Sequence, residues 1–156
     1  MTKKMYIDSS VFMGLHAKDE EKRLAAKKFF VTHFGRTLYM NLEEVGMCDD
    51  IVWGYTREEQ DSYYPFMDNL HTIMRIARVP YTAEIIGCYE VKEGFSTRES
   101  LLLATVTGTN SSLVTFNENL LQTKQAHIIS PESATDELSF GADLEKMYQH
   151  SLALRV

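Results

Sequence analysis

Residues 5–10 read Met5-Tyr6-Ile7-Asp8-Ser9-Ser10, a short apolar run that turns polar at an aspartate. This pattern is typical of a buried strand in a parallel sheet, with a polar residue at the point where the strand emerges. Three later stretches resemble it, at residues 36–40, 112–116 and 126–129. Helical spacing fills most of the intervals, and alternating strands and helices indicate crossover connections. The sequence therefore predicts an α/β fold with a central parallel sheet.

The intervals between the strands give a coarse map of helices. A helix is expected at 18–34, a second at 42–55 with Asn41 as its cap, and a third at 98–107. Residues 57–78 are expected to form one or two helices, with a break near Pro65. Residues 79–81 are expected to connect to a helix at 82–91.

A chain of 156 residues is long enough for one well-packed domain and too short for two ordinary ones. We expect a domain over residues 1–134 and a helical tail over 135–156 that packs on this domain or on a second copy. No apolar run approaches the about 20 residues that span a bilayer, and the N-terminus lacks the apolar stretch of a signal peptide. We therefore expect no integral membrane protein and no membrane partner. Cys48 and Cys88 show no metal-ligand spacing, which favours reduced thiols in a cytoplasmic protein.

The net charge of −6 argues mildly against a strong nucleic-acid binder, because such proteins usually carry a basic surface. Basic residues do crowd the helix at 18–34. We favour a solvated helix face with acidic partners over a nucleic-acid patch for this group. Its members are Lys18, Lys22, Arg23, Lys27 and Lys28.

Acidic and amide side chains follow the predicted strands, where ligands of parallel α/β sheets bind. Asp8 follows the first strand, and a further carboxylate, Glu99, opens the helix before the third. Oxygen ligands that converge in this way suit a hard divalent cation, Mg²⁺ or Mn²⁺. The remaining members of the set are Glu43 and Glu44 after the second strand and Asn117 and Asn119 after the third.

Four short motifs, in order, resemble those of PIN domains. Tyr6-Ile7-Asp8-Ser9-Ser10-Val11 is similar to the opening strand of that family, and residues 113–120 (LVTFNENL) are similar to its late Thr-x-Asp motif. The interval from Glu99 to Asn117 matches the family's spacing, and residues 128–132 (IISPE) resemble its closing strand. The resemblance covers about residues 5–132 and implies a three-layer α/β/α fold.

The resemblance implies a metal-dependent ribonuclease, either the toxin of a toxin–antitoxin pair or an RNA-processing enzyme. Asp8, Glu44 and Glu99 would hold Mg²⁺ or Mn²⁺, and Asn117 would complete the catalytic set. In the implied mechanism the metal activates a water for attack on an RNA phosphodiester. The family also leads us to expect a homodimer and an antitoxin-like protein partner. Five side chains would support the ligands or replace one of them: Ser10, Glu43, Asp49, Thr115 and Asn119.

The chain departs from the family at two of these positions. The family usually has aspartate where this chain has Glu99 and Asn117, and a neutral amide weakens a cation site. The position of the second acid also stays open, since Glu43, Glu44 and Asp49 lie on one predicted helix. These departures favour, as the alternative, a PIN-like protein with a depleted site that acts as a binding module or scaffold, or on a small molecule.

Simpler roles exist for the same residues. Asp8 could cap the helix that begins near Val11, and Glu99 could form a capping box with Ser96. Glu43 and Glu44 could be ordinary first-turn acids, and the two asparagines could be turn formers.

An aromatic cluster lies in the expected helices between the second strand and residue 78. Packing within the core explains most of such clusters. A substrate wall or a dimer surface is the alternative reading. The cluster consists of Trp53, Tyr55, Tyr63, Tyr64 and Phe66.

Overall fold

The structure, a computed structural model, describes residues 2–156. Met1, with which the expected domain begins, lies outside the described residues. Five parallel strands form one central sheet with helices on its two faces, which confirms the predicted three-layer α/β/α fold. The strand order is β3-β2-β1-β4-β5. The strands are β1 (Met5–Ile7), β2 (Leu38–Asn41), β3 (Ile76–Val79), β4 (Ser112–Val114) and β5 (Ile128–Ile129).

Eight helices connect and flank these strands in the described part of the chain. Most begin at a side-chain cap, such as Asp19 for the second helix and Thr56 for the fourth. The helices are α1 (Ser9–Gly14), α2 (Glu20–Thr32), α3 (Leu42–Trp53), α4 (Arg57–Ile73), α5 (Ala83–Gly87), α6 (Thr97–Thr109), α7 (Glu118–Leu121) and α8 (Ala142–Ser151).

Strand β1 is the centre of the sheet, because it pairs with β2 on one side and with β4 on the other. Tyr6 is in register with both Tyr39 and Leu113. The carboxyl ends of these three strands therefore meet at one edge. The segments that follow them begin at Asp8, Leu42 and Thr115, so the polar residues of the three strand exits are brought together.

Two apolar clusters pack on the sheet, one on each face. The larger contains residues of α1 to α4 and α8, among them Phe12, Phe30 and Leu70. The smaller contains residues of α6 and α7, among them Leu103 and Leu120. Two apolar layers with the sheet between them account for the burial of most residues in the central strands β1, β2 and β4.

The segment after residue 134 packs on its own domain. Helix α8 lies against α4, and its Tyr148 is fully buried. Arg23 donates to the Tyr148 hydroxyl at 2.8 Å, and the Lys27 ammonium lies 2.6 Å from Glu137. Arg23 and Lys27 are thus buried beneath the C-terminal segment, so the prediction of a solvated face was wrong for these two residues.

Two local expectations were also wrong, and tertiary packing explains both. Residues 76–79 form the edge strand β3 rather than the end of a helix and a connector. Helix α4 continues through Pro65 without a break, although proline removes a backbone hydrogen bond. Burial of Tyr63, Phe66 and Leu70 in the core outweighs that local loss.

Two further differences concern helix ends. The expected helix at 82–91 is shorter, at Ala83–Gly87. Asn41 stands at the start of α3, but its side chain makes no capping bond and donates instead to Thr105 at 2.9 Å. None of the helices described for residues 2–156 is both long and apolar enough to cross a bilayer.

Candidate functional site

Asp8 lies at the carboxyl end of β1 and is 2% exposed. Its Oδ1 accepts from the Ser10 hydroxyl at 2.5 Å and from the Val11 amide at 3.2 Å, so it also caps α1. Its Oδ2 accepts from the Thr115 hydroxyl, which extends from the end of β4. Burial raises the pKa of Asp8, although these hydrogen bonds oppose the shift. The side chain is held in one orientation from two strands.

Glu44 is the second buried acid and reaches the same place from the first turn of α3. It is 1% exposed, and its Oε1 accepts from the Ser9 amide at 3.0 Å and from the Ser9 hydroxyl at 3.1 Å. Its Oε2 is buried and has no hydrogen-bond partner among residues 2–156. Burial raises the pKa of Glu44, and the nearby negative charge of Asp8 raises it further. Two carboxylates therefore share one poorly solvated space.

Arg98 supplies the positive charge at this carboxylate pair. Its Nη1 donates to the Ser9 hydroxyl at 3.1 Å, and its Nε lies 3.6 Å from Oε2 of Glu44. The Arg98 charge lowers the pKa of both Glu44 and Asp8, but less than burial raises them. Compensation of the two carboxylates is thus partial.

Glu99 lies beside Arg98 on α6, but its oxygens are engaged elsewhere. Its Oε1 accepts from the Ser96 amide at 2.8 Å in a capping box. Its Oε2 accepts from Asn117 at 3.0 Å and from Asn119 at 3.2 Å. Burial acts to raise the pKa of Glu99, but the hydrogen bonds from Ser96 and the two asparagines lower it overall. Asn117 in addition accepts from the Leu120 amide and so caps α7.

A cleft of about 360 Å³, the strand-end cleft, lies beside Ser9 and Ser10, which follow Asp8 in the chain. Neither Asp8 nor Glu44 is among the residues that line it. Ser9, Ser10 and Arg98 line it on the side of the strand ends, and Lys22 of α2 lines it from outside. The Lys22 ammonium lies 5.6 Å from the centre of the Phe116 ring, the residue after Thr115. Two cationic side chains and two hydroxyls therefore line part of the cleft, and such groups bind anions such as phosphate. The other residues that line it are apolar.

The donor set fits a hard divalent cation held by two carboxylates. Mg²⁺ is commonly bound through one or two carboxylates, with water and substrate phosphate as its other ligands. Asp8 and Glu44 are the two candidates, and the free buried Oε2 of Glu44 is an unused oxygen at this place. The expected set of three is not assembled, since no group of three or more His, Cys, Asp or Glu side chains in the described part of the chain is arranged to hold a metal ion.

The structure shows which of the three candidates for the second acid of the site, Glu43, Glu44 and Asp49, lies beside Asp8. Glu44 faces Asp8, whereas Glu43 is exposed to solvent. Asp49 is half-buried and lines a different cavity, between α3 and α4. Helical geometry explains this, because Glu43 and Asp49 point away from the face of α3 that carries Glu44.

Sequence reasoning missed three residues that the structure brings to the site. Ser9 holds Glu44 through its amide and hydroxyl, and Arg98 contacts both of them. Lys22 reaches the cleft from α2. Their signals were weak: Ser9 stands beside the motif aspartate, and Arg98 precedes the motif acid Glu99. Lys22 is one of the basic residues of the helix at 18–34, which the sequence analysis assigned to a solvated face.

Comparisons with known proteins establish the fold and the family. No curated protein matches this sequence. The chain is similar in structure to a protein solved as "Crystal structure of PAE2754 from Pyrobaculum aerophilum", with a TM-score of 0.57 and 13% sequence identity. The similarity covers 97% of this chain and 90% of the other, and at this identity it concerns the fold alone.

The full sequence, residues 1–156, matches the family described as "Family of unknown function (DUF6190)". The protein belongs to this family.

Proposed function

We propose that this protein is a metal-dependent ribonuclease of PIN type that hydrolyses RNA phosphodiesters at the strand-end cleft. One observation carries the proposal: Asp8 and Glu44, both fully buried, lie together at the ends of adjacent strands with only partial compensation from Arg98. Burying two carboxylates without full pairing lowers stability, and functional sites are where such arrangements are found. The resemblance of residues 5–132 to PIN domains points to the same chemistry.

The side chains would divide the work as follows. Asp8 and Glu44 would hold Mg²⁺ or Mn²⁺, which when bound supplies an activated water and neutralises charge on the phosphate oxygens. Ser10 and Thr115 fix the orientation of Asp8, and Ser9 fixes that of Glu44. Such supporting hydrogen bonds keep ligands in position before the substrate arrives.

The cationic side chains would receive the RNA. Arg98 lies next to the carboxylate pair, where it could contact an RNA phosphate. Its planar guanidinium can donate hydrogen bonds to two phosphate oxygens at once. Lys22 is exposed at the mouth of the cleft, where it could attract a neighbouring phosphate. Glu99 would form a side wall together with Asn117 and Asn119 rather than a third metal ligand.

The test is cleavage of labelled single-stranded RNA with Mg²⁺, Mn²⁺ or a chelator. Asp8→Asn and Glu44→Gln should each lower the rate by at least about 100-fold, because loss of a ligand should exceed the 10- to 100-fold effect of its supporting residues. Glu43→Gln is the matched control, since it changes the exposed neighbour on the same helix. Wild-type rates for both site variants, or an equal loss for Glu43→Gln, would refute the proposal.

The second candidate is a PIN-like binding module or scaffold, or a protein that acts on a small molecule, with a depleted site. The occupied oxygens of Glu99 favour it, because a third carboxylate is not available for a metal. It predicts no cleavage with any divalent cation and weak RNA binding. Fluorescence anisotropy of labelled RNA at two salt concentrations separates the candidates, since tight binding with a steep salt dependence contradicts the second.

The resemblance to PIN domains adds two proposals, a homodimer and an antitoxin-like protein partner. The cysteines add a third, a cytoplasmic location. Cys48 and Cys88 are both free thiols, which supports the last. Light scattering on the purified protein, alone and after co-expression with the product of a neighbouring gene, tests the first two.

A further inference from the structure

A second cavity, of about 330 Å³, lies on another side of α3 and is separate from the strand-end cleft. Helices α3 and α4 and the edge strand β3 form it. Its floor is apolar and buried and includes Phe12, Met40 and Tyr63. The two sites share no lining residue, since none of the residues around this cavity lines the strand-end cleft. A volume of this size is in the range of small-molecule sites.

Charged groups of both signs surround this cavity without pairing. Asp49 lies on α3, Asp68 on α4 and Arg78 on β3. Among residues 2–156, none of the ion pairs within 4 Å includes one of these three side chains. The carboxylate of Asp49 is half-buried, and burial raises its pKa, as does Asp68, whereas Arg78 lowers it. Asp68 and Arg78 are exposed to solvent, so charges of both signs border the cavity with no ion pair between them.

A further unpaired polar atom faces this region. Nδ1 of His71 is buried and has no hydrogen-bond partner within the described chain. Burial lowers the pKa of His71 to about 4, so the ring is neutral near pH 7. The ring packs on Phe12 with centroids 4.9 Å apart. A neutral imidazole adds a hydrogen-bonding group without adding charge.

Aromatic rings form the wall of the cavity. Trp53 is 69% exposed at its rim, and Tyr64 lies beside it. An exposed indole over an apolar floor provides a face on which a ligand can stack, and aromatic faces also attract cations. These rings belong to the aromatic cluster of the sequence, and the strand-end chemistry does not use them.

We propose that this cavity binds a small zwitterionic amine, such as a free α-amino acid with an apolar side chain. Its ammonium would lie at Asp49 and Asp68, its anionic group at Arg78, and its apolar body on the floor beneath Trp53. A zwitterion satisfies charges of both signs at once, which neither a simple cation nor a simple anion does. This inference does not depend on the proposed ribonuclease activity.

The chain contains a single tryptophan, so the fluorescence of Trp53 reports on this cavity directly. The probes are L-phenylalanine, phenethylamine, which lacks the carboxylate, and 3-phenylpropionate, which lacks the ammonium. L-Phenylalanine should change the Trp53 emission saturably. Each analogue should bind at least about 10-fold more weakly, because it loses one charge-assisted contact.

Two variants identify the contacts. Asp49→Asn should weaken the binding of L-phenylalanine about 10-fold. Arg78→Met should lower the affinity for L-phenylalanine to that for phenethylamine and leave the affinity for phenethylamine unchanged. Asp50→Asn and Arg57→Met are the controls, since both residues are outside the cavity. Calorimetry repeats the titrations independently of fluorescence, and near-UV circular dichroism confirms that each variant is folded.

Three outcomes would overturn the inference. They are the absence of saturable binding of L-phenylalanine to the folded wild-type protein, equal binding of either analogue, and an equal loss of affinity in the control variants.

Discussion

Two regions of the molecule bury ionisable side chains, and they differ in how the charges are compensated. In the α2–α8 charge cluster, formed by Arg23, Lys27, Glu137 and Glu145, each cation contacts at least one carboxylate. At the strand ends, the buried acids Asp8 and Glu44 have one cation nearby, and its closest approach to Glu44 is 3.6 Å. Full pairing is typical of a structural role, and partial pairing is typical of a site prepared for a ligand.

The pKa values of the carboxyl groups follow this difference. Hydrogen bonding to Arg23, the largest influence, lowers the pKa of Glu137 to about 2, and Lys27 adds to the effect. Burial raises the pKa values of Asp8 and Glu44. In the cluster the ionised form stabilises the fold, whereas at the strand ends ionisation opposes it. The comparison teaches that a buried charge by itself does not identify a functional site, whereas an incompletely paired one indicates where to look.

The largest expected effect comes from breaking the cluster. Glu137→Gln should lower the free energy of unfolding by about 3 kcal/mol, because Arg23 and Lys27 are 5% and 1% exposed and would lose a shared partner. Urea denaturation with an unchanged m-value measures this loss.

The control for this variant is Glu132→Gln. Glu132 pairs with Lys28 but is 86% exposed, so its removal should change stability by less than about 0.5 kcal/mol. If the two variants are equally stable, the cluster does not have the structural role assigned to it.

The stability difference between wild type and a variant should change with pH in opposite directions for the two regions. The pKa of Glu137 is about 2 in the fold and about 4.3 when unfolded, so its stabilisation exists above about pH 4.3 and is lost as the pH falls towards 2. The difference in unfolding free energy between wild type and Glu137→Gln should therefore become smaller in this interval, by about 2 kcal/mol. A larger change would be expected for a fully buried group, but the Glu137 side chain is 31% exposed and solvent screens its charge.

For Glu44, whose folded pKa is raised, the stabilising form is the protonated one. The wild type should therefore lose stability relative to Glu44→Gln as the pH rises through the folded pKa. Denaturant midpoints at several pH values measure both stability differences. If both differences changed in the same direction with rising pH, the comparison would be contradicted.

The smallest expected effect concerns the partial pairing itself. Arg98→Met should destabilise the wild type by about 1 kcal/mol near pH 7, because it leaves Glu44 without a cation. The same change in a Glu44→Gln background should have little effect, which gives a coupling energy of about 1 kcal/mol.

Arg57→Met is the matched control, because the Arg57–Asp61 pair is 87% and 64% exposed and should contribute less than about 0.5 kcal/mol. A coupling energy near zero would mean that Arg98 does not compensate Glu44.

Much of the frame could be predicted from short motifs. Residues 5–8 combine a buried strand with an aspartate at its end, so local pattern alone placed Asp8 at a strand exit. The capping box of Ser96 and Glu99 was also visible from its spacing of three. Strand β3 could not be predicted in this way, because its apolar residues continue the helical pattern of α4. Only its pairing with β2 identifies it as a strand.

For the site, the sequence by itself determined which chemical groups stand at the strand ends, since strand exits and polar residues coincide along the chain. Only the tertiary structure decided that Glu44 rather than Glu43 or Asp49 faces Asp8, that Arg98 compensates this pair, and that Glu99 bonds to Asn117 and Asn119. It also decided that Arg23 and Lys27 are buried under the C-terminal segment. The physical reason is that local pattern specifies strands, helices and turns over a few residues. The orientation of a side chain and the partner of a charge depend instead on segments that are distant in sequence and meet only when the sheet and its helices pack.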